Sequence, residues 1–179
     1  MPAADISDFE SPVASGLSKV AVLKLAADVS ARLGYEPGQD LEPLVRRLGG
    51  IIRYQSWLEA TDGGSLEVFP HHVGTEQDPK FVIRISPNVG NLRNRFTVAH
   101  ELGHYFLHAG VGAKAIRVNR DGSDRVEWEA NWFAAGFLMP EERFRRDWQE
   151  TGGSIPLMVG RYQVSEPVIE IQKANLGLP

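Results

Sequence analysis

The sequence predicts an α+β fold in a single domain: a small, mostly antiparallel sheet, a central helix bearing a His-Glu-x-x-His motif, and packed C-terminal helices. Three observations predict it. Short β-prone runs cluster between residues 51 and 85, segments of helical periodicity lie on both sides of them, and 179 residues suit one domain with a proper core. A three-stranded sheet is too small to fold alone and needs helices on one face.

Residues 1–17 contain Pro, Ser and Asp without periodicity and read as a flexible leader ahead of a domain spanning 18–179. From Ser18 to Leu33, Val22, Leu25, Ala26, Val29 and Leu33 recur at helical spacing, and Gly34 stops the pattern. Asp40 is the expected N-cap of a short helix to Leu48, closed by Gly49-Gly50. Ile51–Tyr54, Leu66–Phe69 and Phe81–Ile85 are the three expected strands, separated by Asp62-Gly63-Gly64, Pro70 and Asp78-Pro79. Asn91 to His108 is the central helix, ended by Ala109-Gly110-Val111-Gly112. Asp124 with Glu127 three residues on matches a capping box for a helix to Met139. Pro140 then opens a helix over Glu141–Glu150, and two short helices near Leu157–Tyr162 and Pro167–Leu176 follow Thr151-Gly152-Gly153-Ser154.

Composition narrows the function. Cysteine is absent, so disulfides and thiolate metal sites are excluded and any transition-metal site must use His, Asp or Glu. A net charge of −4 gives no electrostatic case for direct nucleic-acid binding. The acidic N-terminus is unlike a signal peptide, and no run approaches the roughly 20 apolar residues of a membrane span. A cytoplasmic protein with no membrane partner is the expectation.

His100-Glu101-Leu102-Gly103-His104 carries a mechanism by its spacing. Two histidines at i and i+4 lie about 40° apart around a helix and one turn along it, so both rings can reach one ion. The intervening Glu101 flanks the pair, where a carboxylate can take a proton from water activated there. With Glu101 at zero and about 100° per residue, His100, Thr97, His104 and His108 fall on one side, while Ala99, Leu102, Gly103 and Phe106 fall opposite. Gly103 permits close approach of a neighbouring helix.

Catalytic zinc sites usually have a third protein ligand. The candidates are Glu127, Glu129, His108 and, more remotely, His71 or His72. On the 124–139 helix, Glu127 shares a face with Ala130, Asn131, Ala134 and Leu138, whereas Glu129 points about 200° away, so Glu127 is favoured. Asn131 is placed to accept a ring N–H from a ligand histidine and so set its tautomer. His108 sits two turns from His100, too far to ligate beside both partners, and is left to touch substrate or cap the helix. Tyr105, at i+4 from Glu101, is a candidate to assist an oxyanion or to pack. Arg143, Arg145 and Arg146 read as a charged helix face.

These residues make the chain resemble the ImmA/IrrE family of metallo-endopeptidases. The likeness is carried by RFTxAHELGHxxLH from Arg95 to His108 and by ExEANxFAxxxLMP from Glu127 to Pro140. The resemblance implies a zincin-like fold, zinc held by His100, His104 and Glu127, and cleavage of helix-turn-helix repressors of the XRE type, with derepression of stress-response genes. The expected reaction is peptide hydrolysis by metal-activated water with Glu101 as general base. Mn²⁺ or Fe²⁺ would also suit the ligands. A strand edge at Phe81–Ile85 is the expected place for an extended substrate. Two alternatives are a regulatory module that sequesters a repressor or toxin without cutting it, and a metallohydrolase with a non-peptide substrate. The intact Glu101 favours the peptidase over the sequestering module.

Overall fold

A computed structural model describes residues 9–56, 63–119 and 124–179. Asp62 of the expected turn lies outside them, as do residues 1–8 of the expected leader. In chain order the elements are α1 (Lys19–Arg32), α2 (Glu42–Arg47), β1 (Gly50–Tyr54), β2 (Ser65–Val68), β3 (Phe81–Ile85), α3 (Asn91–Leu107), β4 (Arg117–Asn119), α4 (Arg125–Leu138), α5 (Glu141–Glu150), α6 (Ile155–Tyr162) and α7 (Glu166–Asn175). The fold is α+β, as the patterning predicts. No described helix is long and apolar enough to cross a membrane.

The sheet has the order β1-β3-β2-β4. β2 pairs antiparallel with β3 and with β4, whereas β1 pairs parallel to β3, from Gly50 opposite Phe81 to Tyr54 opposite Ile85. Two features differ from expectation. A fourth strand, β4, is only three residues long and too short to show an alternating pattern. Phe81–Ile85 is not an edge: both its sides are paired, so it has no free main-chain groups for a substrate strand. Its nearly continuous apolar run, buried at four of five positions, is what an interior strand requires. β2 alternates, burying Leu66 and Val68 and turning Glu67 outward. There Glu67 pairs with Arg84 and with Arg117, at 2.8 Å for the latter.

Helix ends follow local chemistry. Ser18 caps α1 by accepting from Ala21 N–H, and Asp124 caps α4 by accepting from Glu127 N–H at 3.2 Å. The return half of the expected capping box is not made, because the Glu127 carboxylate turns to the histidines of α3. At α2 the N-cap is Leu41; Asp40 lies one residue earlier and accepts from Glu42 N–H at 3.1 Å. Residues 9–17 run against the body. Glu10 N–H donates to Ala115 O at 2.9 Å, and Ser15 N–H donates to Glu129 at 2.7 Å.

Helix α4 packs against α3 on one side and α1 on the other. Glycine makes both approaches close. A Cβ on Gly103 would lie 3.0 Å from Ala130 Cα, and one on Gly136 would lie 2.7 Å from the Leu23 carbonyl oxygen. Behind them, α5 and α6 are joined through buried Asp147, which accepts from Arg143, Arg161 and the Tyr162 hydroxyl. Gly136→Ala tests the α1–α4 contact. Helix propensity favours Ala by about 1 kcal/mol, but prising two backbones apart costs about 3 kcal/mol. The expected result is a net loss of about 2 kcal/mol, read as a lower urea midpoint at unchanged slope.

Candidate metal centre

The site is assembled by the α3–α4 contact. His100 and His104 project from consecutive turns of α3, and Glu127 enters from the first turn of α4. The close approach at Gly103 and Ala130 brings these turns within reach of one another. His100 Nε2 and His104 Nε2 are 3.1 Å apart; Glu127 lies 3.2 Å from the first through Oε2 and 3.3 Å from the second through Oε1. Among the described residues these three form a group able to hold a metal ion, and all three are buried.

Electrostatics sets the protonation of this group. Burial pushes His104 down to about 4, against the opposing pull of the Glu127 carboxylate, so its ring is neutral at neutral pH. Burial works to raise Glu127, but the two imidazoles beside it override this and hold the carboxyl well below its usual range, so it is ionised. An ionised carboxylate and imidazole lone pairs converging in a dry site repel one another unless a cation sits among them. The donor spacing fits that ion. A tetrahedral centre about 2.0 Å from its ligands has ligand–ligand edges of about 3.3 Å, close to the separations found. Nitrogen and carboxylate oxygen also suit zinc chemically.

The surroundings place the other predicted residues. Asn131 Oδ1 lies 3.0 Å from His100 Nδ1, where it accepts the ring N–H and leaves Nε2 free to face Glu127. Glu101 is buried on α3. A Cβ at Gly64 would come within 2.8 Å of its Oε1 and 2.4 Å of the Thr97 methyl, so only glycine lets this backbone pack so closely on the carboxylate. His108 is the C-cap of α3. Its Nδ1 lies 2.9 Å from His104 Nδ1 and its Nε2 is 3.2 Å from Glu129.

Several expectations are corrected. Tyr105 is not brought to the site: its ring packs on Phe81 at a centroid distance of 4.3 Å and lies against Gly112. His71 is exposed and His72 stacks on Phe69 and pairs with Asp78, so neither approaches the centre. Glu129 is not turned away from α3 as its helical phase predicts: it is wholly buried, and its Oε2 lies 3.2 Å from His108 Nε2, one ring out from His104. Burial tends to raise its carboxyl, but Arg125, Ser15 N–H and His108 override this and hold it at about 2. The sequence signal for this was Arg125 four residues before it, the spacing of a helical ion pair.

Comparison with known proteins agrees with this geometry. Residues 60–172 match the peptidase family described as the IrrE N-terminal-like domain. Over 73 residues the chain is 32% identical to Metallopeptidase ImmA of Bacillus subtilis (strain 168), covering 40% of each chain. A Mycobacterium tuberculosis transcriptional regulator shares the fold, with a TM-score of 0.56 and 21% identity over 83% of this chain and 45% of that one. The chain thus spans less than half the length of these relatives. The match over most of its length, around a buried His-His-Glu group that fits a metal, shows that the chain belongs to the IrrE N-terminal-like family of metallopeptidase domains.

Proposed function

We propose that the chain is a zinc-dependent endopeptidase that cuts one cytoplasmic regulatory protein, a helix-turn-helix repressor of the XRE type. The observation that carries the reading is the convergence of His100 Nε2, His104 Nε2 and the Glu127 carboxylate at 3.1–3.3 Å, with buried Glu101 on the same helix. His100, His104 and Glu127 are the proposed ligands, and Asn131 holds the His100 ring in register. When bound, zinc supplies a Lewis acid that polarises the scissile carbonyl and lowers the pKa of water.

Glu101 acts as the base. It takes a proton from the attacking water, then returns it to the amine nitrogen as the peptide bond breaks. β4 replaces β3 as the strand proposed to align substrate. It is an outer strand whose edge is bridged by Glu10 at Ile116, and at its other end the register sets Asn119 opposite Ser65, next to Gly64. An extended loop of a folded repressor can pair there, whereas an arbitrary folded surface cannot.

Incubation with casein and with a purified XRE-type repressor, at matched zinc, tests the reading. The expected result is zinc-dependent cutting of the repressor and little digestion of casein. Efficient casein digestion would make it a general peptidase. Tight repressor binding without a cut would make it a sequestering module.

A further inference from the structure

The proposed chemistry leaves one buried polar chain unused. Where α4 meets the C-terminal end of α3, the Glu129 carboxylate accepts from Arg125 Nε at 2.9 Å and from Ser15 N–H at 2.7 Å. His108 Nε2 is 3.2 Å from the same Oε2 that Ser15 uses, and His108 Nδ1 is 2.9 Å from His104 Nδ1. The far nitrogen of His104, Nε2, is the one that faces His100 and Glu127. His104, His108 and Glu129 are all at most 3% exposed, so water does not compete for these bonds.

Counting protons gives the chain a direction. A carboxylate already fixed by a guanidinium and an amide only accepts, so His108 Nε2 must donate to it. With one proton per ring, His108 Nδ1 is then an acceptor. His104 Nδ1 must therefore donate to His108, which leaves the His104 Nε2 lone pair aimed at the centre. The reverse order would put a proton on Nε2, between His104 and the atoms it must share an ion with.

We infer that His108 and Glu129 are positioning residues that lock His104 in its Nδ1–H tautomer and so present Nε2 as a metal ligand. The purpose of the relay rests on the metal-site reading above; its proton order does not. Asn131 serves the His100 ring in the same way, so α4 supplies one ligand and the support for both of the others. Ser15 ties residues outside the helices into the same relay.

The test uses the full chain and zinc, with affinity measured by competition against a chromogenic chelator. His108→Leu keeps volume but ends the relay, and should weaken zinc binding by about 10- to 100-fold. Glu129→Gln can turn its amide toward His108 and reverse the proton order, with an expected loss of about tenfold. His108→Gln carries an acceptor and a donor in one planar amide and should recover most of the affinity, which a merely space-filling role would not predict. Ring ¹⁵N shifts of the metal-free wild type should show His104 protonated at Nδ1, and Glu129→Gln should move that proton toward Nε2.

Zinc affinities of both Glu129→Gln and His108→Leu within about twofold of wild type, against the losses expected from support residues, would overturn the inference. So would a wild-type His104 protonated at Nε2. If His108→Leu does not fold, His108→Gln and Glu129→Gln make the comparison. If wild type binds no zinc, the metal-site reading fails, and the tautomer measurement alone decides the relay.

Discussion

Glu101→Gln is expected to bind zinc as tightly as wild type while cleavage of the repressor slows by about 10²- to 10⁴-fold. The amide has the shape of the carboxylate but cannot accept the proton of the attacking water. Glu101 stands outside the His100–His104–Glu127 group, so its replacement leaves the donor atoms in place. The amide matches the carboxylate in size, so the close packing against Gly64 is kept. Single-turnover cleavage, with zinc content measured on the same sample, checks both halves. A variant that cuts at the wild-type rate would remove Glu101 from the chemistry; one that loses its zinc would move Glu101 among the ligands.

The second large effect falls on the metal itself. Glu127→Gln should weaken zinc binding by more than about 100-fold, beyond the range typical of residues that only support a ligand. The substitution removes the one anionic donor and leaves two neutral rings to hold a divalent ion. His104→Ala should reduce binding below detection, because it removes a donor and empties a fully buried site. Glu129→Gln supplies the internal comparison, since it acts one ring farther out. Equilibrium titration of all three settles the order. A larger loss from Glu129→Gln than from Glu127→Gln would place the third ligand on the other side of α4.

The two helices that build the centre were the most legible part of the sequence. In α3, polar and apolar residues segregate around the axis, and the small residues Gly103 and Ala130 announced where a second helix could approach. The phase of α4 separated Glu127 from Glu129, but both carboxylates meet histidines at α3, Glu127 at His100 and His104 and Glu129 at His108. Strand pairing was harder to read. Three of four strands have a visible pattern, but nothing local says that β1 lies parallel to β3 across the edge of a hairpin. That arrangement is set by long-range packing on α3, and it removed Phe81–Ile85 from the sheet edge.

The placements of Tyr105 and Glu129 have a common cause. A helical wheel reports direction but not depth. Tyr105 has the right phase to flank Glu101, yet α3 is enclosed by the sheet as well as by α4, so the ring is absorbed into the core beside Phe81. Glu129 has a phase that would face solvent on a helix with one packed side. Its direction leads instead to the end of α3, where His108, Arg125 and Ser15 N–H partner a carboxylate that could not otherwise persist in the interior.

The double packing of α4 also makes the helices one cooperative unit. α4 cannot open locally without uncovering α1 through Gly136 and α3 through Gly103. An ion held between α3 and α4 therefore acts on the folding equilibrium of all three helices, although it touches only two. By mass action, a free concentration one hundred times the dissociation constant adds about 2.7 kcal/mol to the cost of opening that block. The cell's metal supply would thus set the lifetime of the protein as well as its chemistry, with starvation for the ion exposing the helices to unfolding and turnover.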